Sequence, residues 1–531
     1  MDATVNLTTK LSDYAERHPA AQVTVSTNRF GLRLLVGMLG VLLAALTAGL
    51  IGSVTQIAAP DIRGALAISL DQGTWISTFY QATQVATMAF APWFAVTFSL
   101  RRVTLVAIVA MTLLGVLCPF APNASSLLLL RALQGIAAGS LPPMLMTVAL
   151  RFLPPHYKLF GLAGYAVTAT FGPNLGIPLA ALWINYFHWQ WVFWQVVPLG
   201  LLSYAAVAYG LPADPLRLER FRQFDWLGLA TGFPALCALT VALLQNDRLD
   251  GFNSPLICLL TVAGLGLLVV FFINEGFHSL PFFSLGILRR RNFTHALITL
   301  AGTLIVLSAS MVVPAHYLTT THDYRPLQTA PLPLLVASTQ LVLLPLVAAF
   351  CNRRRVDSRW VLAIGLGLCL LSCVDGMSIT AAWTRQNFYG LVALQAIAEP
   401  MIVVALLLSS TAVVVPQEGP VAAAWFNTVK AFAAVLGTGV VTALTTSRSD
   451  FHNNVLVDQL GDHPLAQALI HHQTTSASQW LARQIATQAH VMAAADIYAV
   501  MAVLTGVLLL LVPILPKRVF PPCSSVSTTL K

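Results

Sequence analysis

Charged residues are scarce in this chain of 531 residues. Asp, Glu, Lys and Arg together make up 9% of the sequence, whereas soluble domains carry about 25%. The mean hydropathy is +0.76, and long apolar stretches recur along the whole length. This composition excludes a soluble globular protein. It predicts a polytopic helical membrane protein, because a helix satisfies its own backbone hydrogen bonds in lipid.

Several signatures of catalysis are also missing. No lysine follows a glycine, which excludes a phosphate-binding P-loop and ATP hydrolysis through one, and the HExxH and GxSxG motifs are absent. The seven cysteines form no CxxC pair and lie mostly in or beside apolar runs, so we expect reduced, hydrophobic cysteines. We therefore expect neither an ATP-driven pump nor a membrane hydrolase, and no cofactor or metal.

Fourteen apolar segments are near or above the roughly 20 residues that a helix needs to cross a bilayer. They cover residues 34–59, 75–98, 103–120, 124–150, 159–183, 191–211, 226–245, 255–274, 294–317, 327–350, 360–383, 388–415, 421–445 and 491–515. The predicted fold class is therefore an all-α polytopic membrane protein with 14 transmembrane spans.

The basic residues indicate how these spans are oriented. The first thirty residues are polar and lack the features of a signal peptide, so we expect them to stay in the cytoplasm. With that start, 21 of the 29 Lys and Arg residues lie in cytoplasmic segments and six in outer loops. This asymmetry follows the positive-inside rule and predicts cytoplasmic N- and C-termini. The net charge of +9 thus reflects orientation, and we expect no nucleic-acid partner.

A similarity between two segments of the sequence suggests that the chain consists of two related halves. Residues 98–115 and 352–372 are both arginine-rich inner loops that lead into a Leu/Ala/Gly-rich helix, at equivalent joints of two six-span halves. The predicted domains are a cytoplasmic tail (1–30), an N-terminal six-helix bundle (31–211), two linker helices with their loops (212–292), a C-terminal six-helix bundle (293–515) and a cytoplasmic tail (516–531).

The outer segment 446–490 is the longest loop in this scheme. Apolar residues recur there at helical spacing, which predicts one or two amphipathic helices outside the membrane. Its five histidines lack HxxxH or HExxH spacing, so we expect solvated histidines rather than a metal site. Docking to another protein is the better functional interpretation of this segment.

One arginine lies in the middle of an apolar run, "LLLLRALQGIAAG" (127–139). A charge at mid-helix costs at least ~2.5–3.5 kcal/mol by insertion scales, so Arg131 should face a polar cavity or a partner. Gln134 can share its polar face, and Gly135 and Gly139 allow close helix approach. Two interpretations stay open: a structural tie to neighbouring helices, or charge movement. We expect Arg131 to line a wet passage between two moving halves.

Several motifs resemble a known family. The arginine motif above resembles helix 4 of the major facilitator superfamily. "GYAVTATFGPNLG" (164–176), with Gly172, Pro173 and Gly176, resembles the Gly-Pro motif of helix 5 in its antiporters. Four other stretches are similar to its helix entries and loops: "AAPDIRGALAISLDQGTW" (58–75), "HWQWVFWQVVPLG" (188–200), "FDWLG" (224–228) and "LRRRNF" (288–293). The sequence most resembles the fourteen-helix drug:proton antiporter branch.

The resemblance implies a major facilitator fold, with two six-helix bundles and two additional central helices. It implies a multi-pass transporter of the bacterial inner membrane that exports toxic amphipathic compounds (multidrug efflux). Its mechanism would be alternating access with proton antiport. Its partners would be the small-molecule substrate, protons and the lipid bilayer, with a periplasmic adaptor protein and an outer-membrane channel outside.

The sequence departs from the family where protons are expected to bind. The family commonly has an aspartate and an asparagine near the outer end of helix 1, where this chain has Ile51 and Gln56. The loop after helix 2 keeps only Arg101 and Arg102 of its usual motif. Proton coupling therefore needs another carboxyl group.

Glu399 is our candidate proton carrier. It precedes Pro400 within a span, and a proline there loosens the helix and frees a carbonyl group. The alternative is a hydrogen-bonded structural glutamate. Asp375 is the next candidate. Lys430, on the thirteenth span, could pair with an acid across the C-terminal half, or serve packing or snorkelling instead.

We also predict the substrate cavity and the residues that govern conformational change. A cavity lined by polar and aromatic side chains of spans 1, 2, 4 and 5 suits an amphipathic ligand. The predicted cavity residues are Gln56, Trp75, Tyr80, Gln84, Met88, Gln134, Met144, Tyr165 and Asn174. The predicted conformational residues are Gly135, Gly139, Gly172, Pro173, Gly176, Arg101 and Arg102.

Two other functions remain open at this point. One is the export of a specific metabolite, siderophore or organic acid, with different or no proton coupling, which the missing helix 1 aspartate favours. The other is a non-transporting membrane scaffold or receptor. A dry, solid bundle would favour the scaffold, whereas a solvent-accessible cavity that reaches Arg131 would count against it.

Overall fold

The computed structural model describes residues 31–153, 155–353, 355–461 and 475–515. This part of the chain is helical and contains no β-strand. The two predicted tails, 1–30 and 516–531, lie outside the described residues.

The N-terminal helices, α1–α9, form the first group. They are α1 (Leu32–Ile57), α2 (Ala59–Leu66), α3 (Leu70–Phe98), α4 (Leu100–Leu117), α5 (Ala124–Gly139), α6 (Leu141–Phe152), α7 (Pro155–Tyr186), α8 (Trp191–Trp194) and α9 (Val196–Gly210). The predicted fourth span is two helices, α5 and α6, which meet at Ser140. The break falls there because Pro142 and Pro143 lack amide hydrogens and fit only a first helical turn.

The linker helices and the C-terminal helices follow. The linker helices are α10 (Trp226–Gln245) and α11 (Pro255–Phe277). The C-terminal helices are α12 (Arg291–His322), α13 (Pro326–Thr329), α14 (Pro331–Cys351), α15 (Ser358–Gly376), α16 (Phe388–Thr411), α17 (Gly419–Gly461) and α18 (Thr475–Leu511). The division of the chain into two bundles and a linker stays a prediction.

Thirteen helical segments of the described chain are long and apolar enough to cross a membrane, and each matches a predicted span. The remaining predicted span, 75–98, lies in α3, which is 29 residues long but more polar than the others. Its polar side chains have partners inside the protein. Gln245 of α10 donates to the Thr78 hydroxyl at 2.7 Å, and Arg248 pairs with Asp71 at 2.8 Å.

The linker helices connect the two groups through aromatic side chains. In the segment after α11, Phe282 packs against an N-terminal helix and Phe283 packs against a C-terminal helix. The Phe282 ring centroid lies 4.8 Å from that of Phe90 on α3, and the Phe283 centroid lies 4.7 Å from that of Trp425 on α17. The buried carboxylate of Glu275 accepts the Phe283 backbone N–H at 2.9 Å, which holds this segment against α11.

The prediction of helices in the outer segment 446–490 is confirmed for residues 446–461 and 475–490, but these helices continue the two neighbouring spans. Helix α17 runs without interruption to Gly461, and α18 begins at Thr475, so the segment extends two spans. No proline or glycine stands between Gly439 and Gly461 to end the helix. Residues 462–474, which include His463, His471 and His472, lie outside the described residues.

The two described histidines of this segment are not simply solvated. His452 lies 2.8 Å from the Asp496 carboxylate, which also pairs with Arg448 at 3.0 Å. The His490 ring nitrogen lies 3.0 Å from the Ser449 hydroxyl. These contacts join α17 to α18. No group of three or more potential metal ligands occurs among the described residues.

Candidate functional site: a central cavity

A cavity of about 640 Å³ lies between the N-terminal and the C-terminal helices. Helices α1, α3 and α7 line one side, and α12, α16 and α17 line the other. Most of the wall is apolar. The polar lining residues are Ser53, Gln56, Gln81, Gln84, Thr168, Thr170, Asn174, Ser308, His316, Thr319, Thr320, Thr329, Glu399, Lys430 and Thr438.

One end of the bundle, which we call the terminal end, is where α1, α12 and α17 begin. Arg33 of α1 donates to the Tyr209 carbonyl at 2.8 Å, and Arg290, beside α12, pairs with Glu418 at 2.6 Å. A methyl group on Gly419 of α17 would lie 3.5 Å from Cβ of Leu150 at the end of α6. The N-terminal and C-terminal helices are therefore in close contact at this end.

The cavity is closed toward the terminal end and open toward the opposite end. The Tyr165 hydroxyl of α7 donates to the Asn427 side-chain oxygen of α17 at 2.9 Å, and the Asn427 amide reaches the Met146 sulfur at 3.8 Å. Tyr165 and its neighbour Phe426 are buried. At the other end, the lining residues Gln56, Thr319, Thr320 and Pro326 are exposed. The cavity is therefore accessible from the end opposite the terminal end.

Glu399 lies on the cavity wall at the middle of α16. It is 2% exposed, and its Oε2 accepts the Gln340 side-chain amide at 3.3 Å. The same amide nitrogen donates to the Ala396 carbonyl at 3.1 Å. Pro400 cannot bond to that carbonyl, because a proline has no N–H. Gln340 thus satisfies the carbonyl that Pro400 leaves free, and holds Glu399 through a neutral contact.

Lys430 lies on the same cavity wall, on α17. Its Nζ stands 4.6 Å from the centre of the Tyr165 ring, a cation–π contact across the two groups of helices. No carboxylate of the described residues lies within ion-pair distance of Lys430, Glu399 included. The predicted pairing of Lys430 with an acid is therefore not found.

Arg131 does not line the cavity, so the expectation of a wet passage around it is wrong for this conformation. It is 0% exposed and lies between α5 and α3. Its Nη1 donates to the Gln134 side-chain oxygen at 2.7 Å, and its Nε donates to the Ile76 carbonyl at 3.4 Å. The guanidinium carbon stands 4.2 Å from the Tyr80 ring centre. Its Nη2 has no hydrogen-bond partner among the described residues.

The glycines beside Arg131 explain why it is sealed. A side chain at Gly135 would meet the Tyr80 carbonyl, and one at Gly139 would meet the Gln84 carbonyl, both on the α3 backbone. Helix α5 therefore packs directly on the α3 backbone at these two positions. The same packing leaves Gln84 on the opposite face of α3, where it lines the cavity.

Five of the nine predicted cavity residues line the cavity: Gln56, Gln84, Met88, Tyr165 and Asn174. The other four do not. Tyr80 is fully buried and donates to the Ala48 carbonyl at 2.6 Å, Gln134 serves Arg131, and Met144 is buried in the core. The Trp75 ring contacts Arg248, whose guanidinium carbon lies 5.8 Å from the centre of the ring. Tyr80, Gln134 and Met144 lie on helix faces that pack against other helices.

The remaining predicted residues have different positions. Asp375, the second proton-carrier candidate, is exposed at the end of α15 and does not line the cavity. Pro173 lines the cavity. Gly176 allows α7 to approach α1, since a methyl group there would lie 2.6 Å from Cβ of Ser53, whereas Gly172 meets only Leu46, at 3.8 Å. Arg101 donates to the Ala208 carbonyl, and Arg102 is exposed.

Sequence reasoning missed the contribution of α12. This helix supplies Ser308, Met311, Ala315, His316, Thr319 and Thr320 to the lining. No motif marks these residues, but their recurrence every three or four positions places them on one helix face. The cavity residues predicted on the N-terminal spans imply a facing wall on the C-terminal spans. The periodicity of polar residues in α12 is the signal that could have identified that wall.

The structure has two groups of membrane-spanning helices around a central cavity, and ionisable side chains line that cavity. This is the architecture of a membrane transporter. The sequence matches the Major Facilitator Superfamily over residues 38–438, and the chain belongs to that family. The expectation of a transporter rather than an enzyme is thereby confirmed. The cavity does not reach Arg131, so it is the family membership that counts against the scaffold interpretation.

Relatives and solved structures agree with this membership. The chain is 25% identical over 484 residues to "Multidrug export protein EmrB" of Escherichia coli strain K12, which covers 88% of this chain and 92% of that protein. It is 28% identical over 312 residues to "Fatty acid resistance protein FarB" of Neisseria gonorrhoeae, covering 58% and 60%. The crystal structure of the human organic anion transporter MFSD10 has a TM-score of 0.52 at 14% identity, covering 89% of this chain and 99% of that one. That likeness bears on the fold alone.

Proposed function

We propose that this transporter exports small amphipathic compounds, in the manner of a multidrug efflux protein, by alternating access and proton antiport. The cavity of about 640 Å³ carries this proposal, because an apolar wall with a few polar groups suits amphipathic ligands of varied shape. The similarity to a multidrug export protein over 88% of the chain supports export of this kind.

The proposed orientation puts the terminal end in the cytoplasm of a bacterium, with the protein in the inner membrane. The excess of Lys and Arg in the segments at that end supports it. In this orientation the cavity opens to the outside, which is the state that releases an exported compound. Loading from the cytoplasm then requires the two groups of helices to separate at Tyr165 and Asn427 and to close at the other end.

Proton antiport is proposed to use Glu399. The carboxyl group is on the cavity wall, and the hydrogen bond to its Oε2 comes from the neutral Gln340 side chain, so a change of protonation breaks no ion pair. One charge moving through 100 mV releases ~2.3 kcal/mol, which supports a gradient of roughly fifty-fold for a neutral substrate. Arg131 is assigned to holding α5 on α3.

The experiment is an accumulation assay in intact cells with a panel of dyes and antibiotics. Cells expressing the wild-type protein should accumulate less compound than cells without it, until a protonophore removes the proton gradient. Glu399→Gln keeps size and hydrogen bonding but cannot ionise, and we expect it to abolish proton-dependent efflux. The matched control is Glu219→Gln, since Glu219 is exposed outside the cavity. Unchanged coupled efflux by Glu399→Gln at equal protein level removes Glu399 from the mechanism.

A second candidate function is the export of an organic acid, siderophore or other specific metabolite, with different or no proton coupling. Ile51 favours it, because the fully buried residue at this helix 1 position carries no proton. Efflux that continues after proton collapse would support this alternative.

The extended ends of α17 and α18 are the proposed contact for a periplasmic adaptor protein and, through it, an outer-membrane channel. Helix α17 has 43 residues, about 65 Å at ~1.5 Å per residue, twice the ~30 Å hydrocarbon thickness. The Asp496 carboxylate pairs with Arg448 and lies 2.8 Å from the His452 ring nitrogen, and these contacts join α17 to α18 beside the two extensions.

A further inference from the structure

The cavity holds a cation whose donors are unused by the protein. Lys430 has three N–H donors and no acceptor. None of them makes a hydrogen bond or ion pair with the described residues, and its described contact is with the Tyr165 ring. Structural lysines inside a membrane normally pair with an acid or a carbonyl group. Here the donors are left for whatever occupies the cavity.

The surroundings of Lys430 hold its position without neutralising its charge. The Tyr165 hydroxyl already donates to Asn427, so the tyrosine presents its ring face to the ammonium group. Besides Lys430 and Tyr165, the ionisable side chains that line the cavity are Glu399 and His316. Glu399 accepts a hydrogen bond from Gln340. The His316 ring makes an edge-to-face contact with the His490 ring, with 5.8 Å between the ring centres.

The remaining wall suits the apolar body of a ligand. Phe426 lies one turn before Lys430 on α17, and Val403, Leu304 and Met311 face the same space. A ligand with an anionic head and an apolar body could therefore satisfy the ammonium group and bury its body at once. A cationic amphiphile would meet repulsion from a like charge in a site of low dielectric constant.

We infer that Lys430, held by Tyr165, is an anion-binding subsite, and that the cavity selects amphipathic monoanions such as carboxylates over cations. This inference rests on the proposed export function, of which it names the substrate class. The ammonium–carboxylate contact is a charge-assisted hydrogen bond, the stronger kind in proteins.

The test uses three fluorescent probes with one apolar body: pyrenebutyrate, pyrenebutanol and pyrenebutyltrimethylammonium. Their binding to the full-length protein in lipid nanodiscs is measured by fluorescence anisotropy, with empty nanodiscs as the reference. We expect the wild-type protein to prefer the anion. Lys430→Gln should weaken pyrenebutyrate binding about tenfold or more and leave pyrenebutanol binding unchanged. Lys430→Arg, which keeps the charge, should retain the preference.

The matched control is Arg483→Gln, which removes one positive charge from an exposed position on α18. It should bind all three probes as the wild type does. Should Lys430→Gln fail to fold, the wild-type ranking of the probes and the Lys430→Arg variant still decide the question.

Equal binding of the three probes, preference for the cation, or an equal loss of all three in Lys430→Gln would overturn the inference. If the alcohol or the cation is nonetheless expelled from cells in a Glu399-dependent way, the export function stands and only the anion subsite falls. Absence of binding and of export for all three probes would contradict both.

Discussion

At the scale of single residues, Arg131 shows how a charge can lie in a membrane helix without facing water. Its guanidinium group has an aromatic ring, an amide oxygen and a backbone carbonyl around it. A planar group with five donors can reach several acceptors at once, whereas an ammonium group acts as a point charge. The residue therefore joins α5 to α3 in this conformation.

Arg131→Lys tests this structural assignment. The lysine cannot reach both Ile76 and Gln134, so a buried polar contact is lost and the free energy of unfolding should fall by about 1–3 kcal/mol. Thermal unfolding of the purified protein in detergent, followed by tryptophan fluorescence, measures the change. Arg483→Lys, at an exposed position, should leave the unfolding temperature unchanged. An unaltered unfolding temperature in Arg131→Lys would show that the contacts are not stabilising.

The sequence could predict which residues are unusual but not what surrounds them. Glu399 and Lys430 stood out as ionisable residues within apolar spans, and both line the cavity. Arg131 stood out for the same reason and is sealed. The difference depends on which face of each helix meets a neighbour, and a charge within a span has the same appearance in the sequence in both cases.

At the scale of helices, small residues set how closely the elements pack. Gly135 and Gly139 bring α5 onto the α3 backbone, and Gly176 brings α7 onto α1. Between membrane helices, association depends on van der Waals packing and hydrogen bonds, since lipid is as apolar as the side chains. Close approach at these glycines is therefore a main contribution to the stability of the N-terminal helices.

Gly139→Ala is expected to destabilise the protein by about 1–3 kcal/mol, because the new methyl group would collide with the Gln84 carbonyl of a rigid helix. The matched control is Gly367→Ala on α15, where the added methyl group would have no atom of a neighbouring element within 4 Å. There the helix preference for alanine should make the change neutral or stabilising by up to ~1 kcal/mol. The comparison of the two unfolding temperatures is the measurement. Equal effects of the two substitutions would contradict the close-packing argument.

Helix positions were largely predictable, since a span of about 20 apolar residues has few alternatives in lipid. The break at Ser140 and the continuation of α17 to Gly461 were not predicted. Both follow from local chemistry that hydropathy does not measure. The prolines after Ser140 interrupt the backbone hydrogen bonds, whereas the polar residues after 445 leave them intact.

At the scale of the whole molecule, polar contacts of the buried Asn427 side chain join the two groups of helices beside the closed end of the cavity. The stronger of these contacts is the hydrogen bond from Tyr165 of α7, which lines the cavity, to Asn427 of α17. In the proposed alternating-access mechanism, this contact breaks when the cavity opens on the other side. A single hydrogen bond contributes about 1 kcal/mol, small enough to be broken in each cycle.

Tyr165→Phe should therefore favour opening at the terminal end, by about fivefold in the ratio of the two states. The measurement is the labelling rate of a cysteine introduced at Leu150, which is buried at that end, in a chain freed of its native cysteines. Tyr317→Phe is the matched control, since Tyr317 donates at 2.7 Å to the Thr380 carbonyl within the C-terminal helices. Equal labelling rates in both variants would contradict a gating role for Tyr165.

The amino-acid sequence by itself determined the class of this protein: a helical membrane transporter of the Major Facilitator Superfamily, with its spans in order. Apolar length, motif spacing and the distribution of basic residues are local properties, and a bilayer allows few structures to satisfy them. Only the tertiary structure decided which charges meet the cavity. That outcome depends on the rotation and spacing of each helix against its neighbours. Glycines such as Gly139 pack α5, with Arg131, directly on α3, whereas Lys430 contacts Tyr165 on the cavity wall.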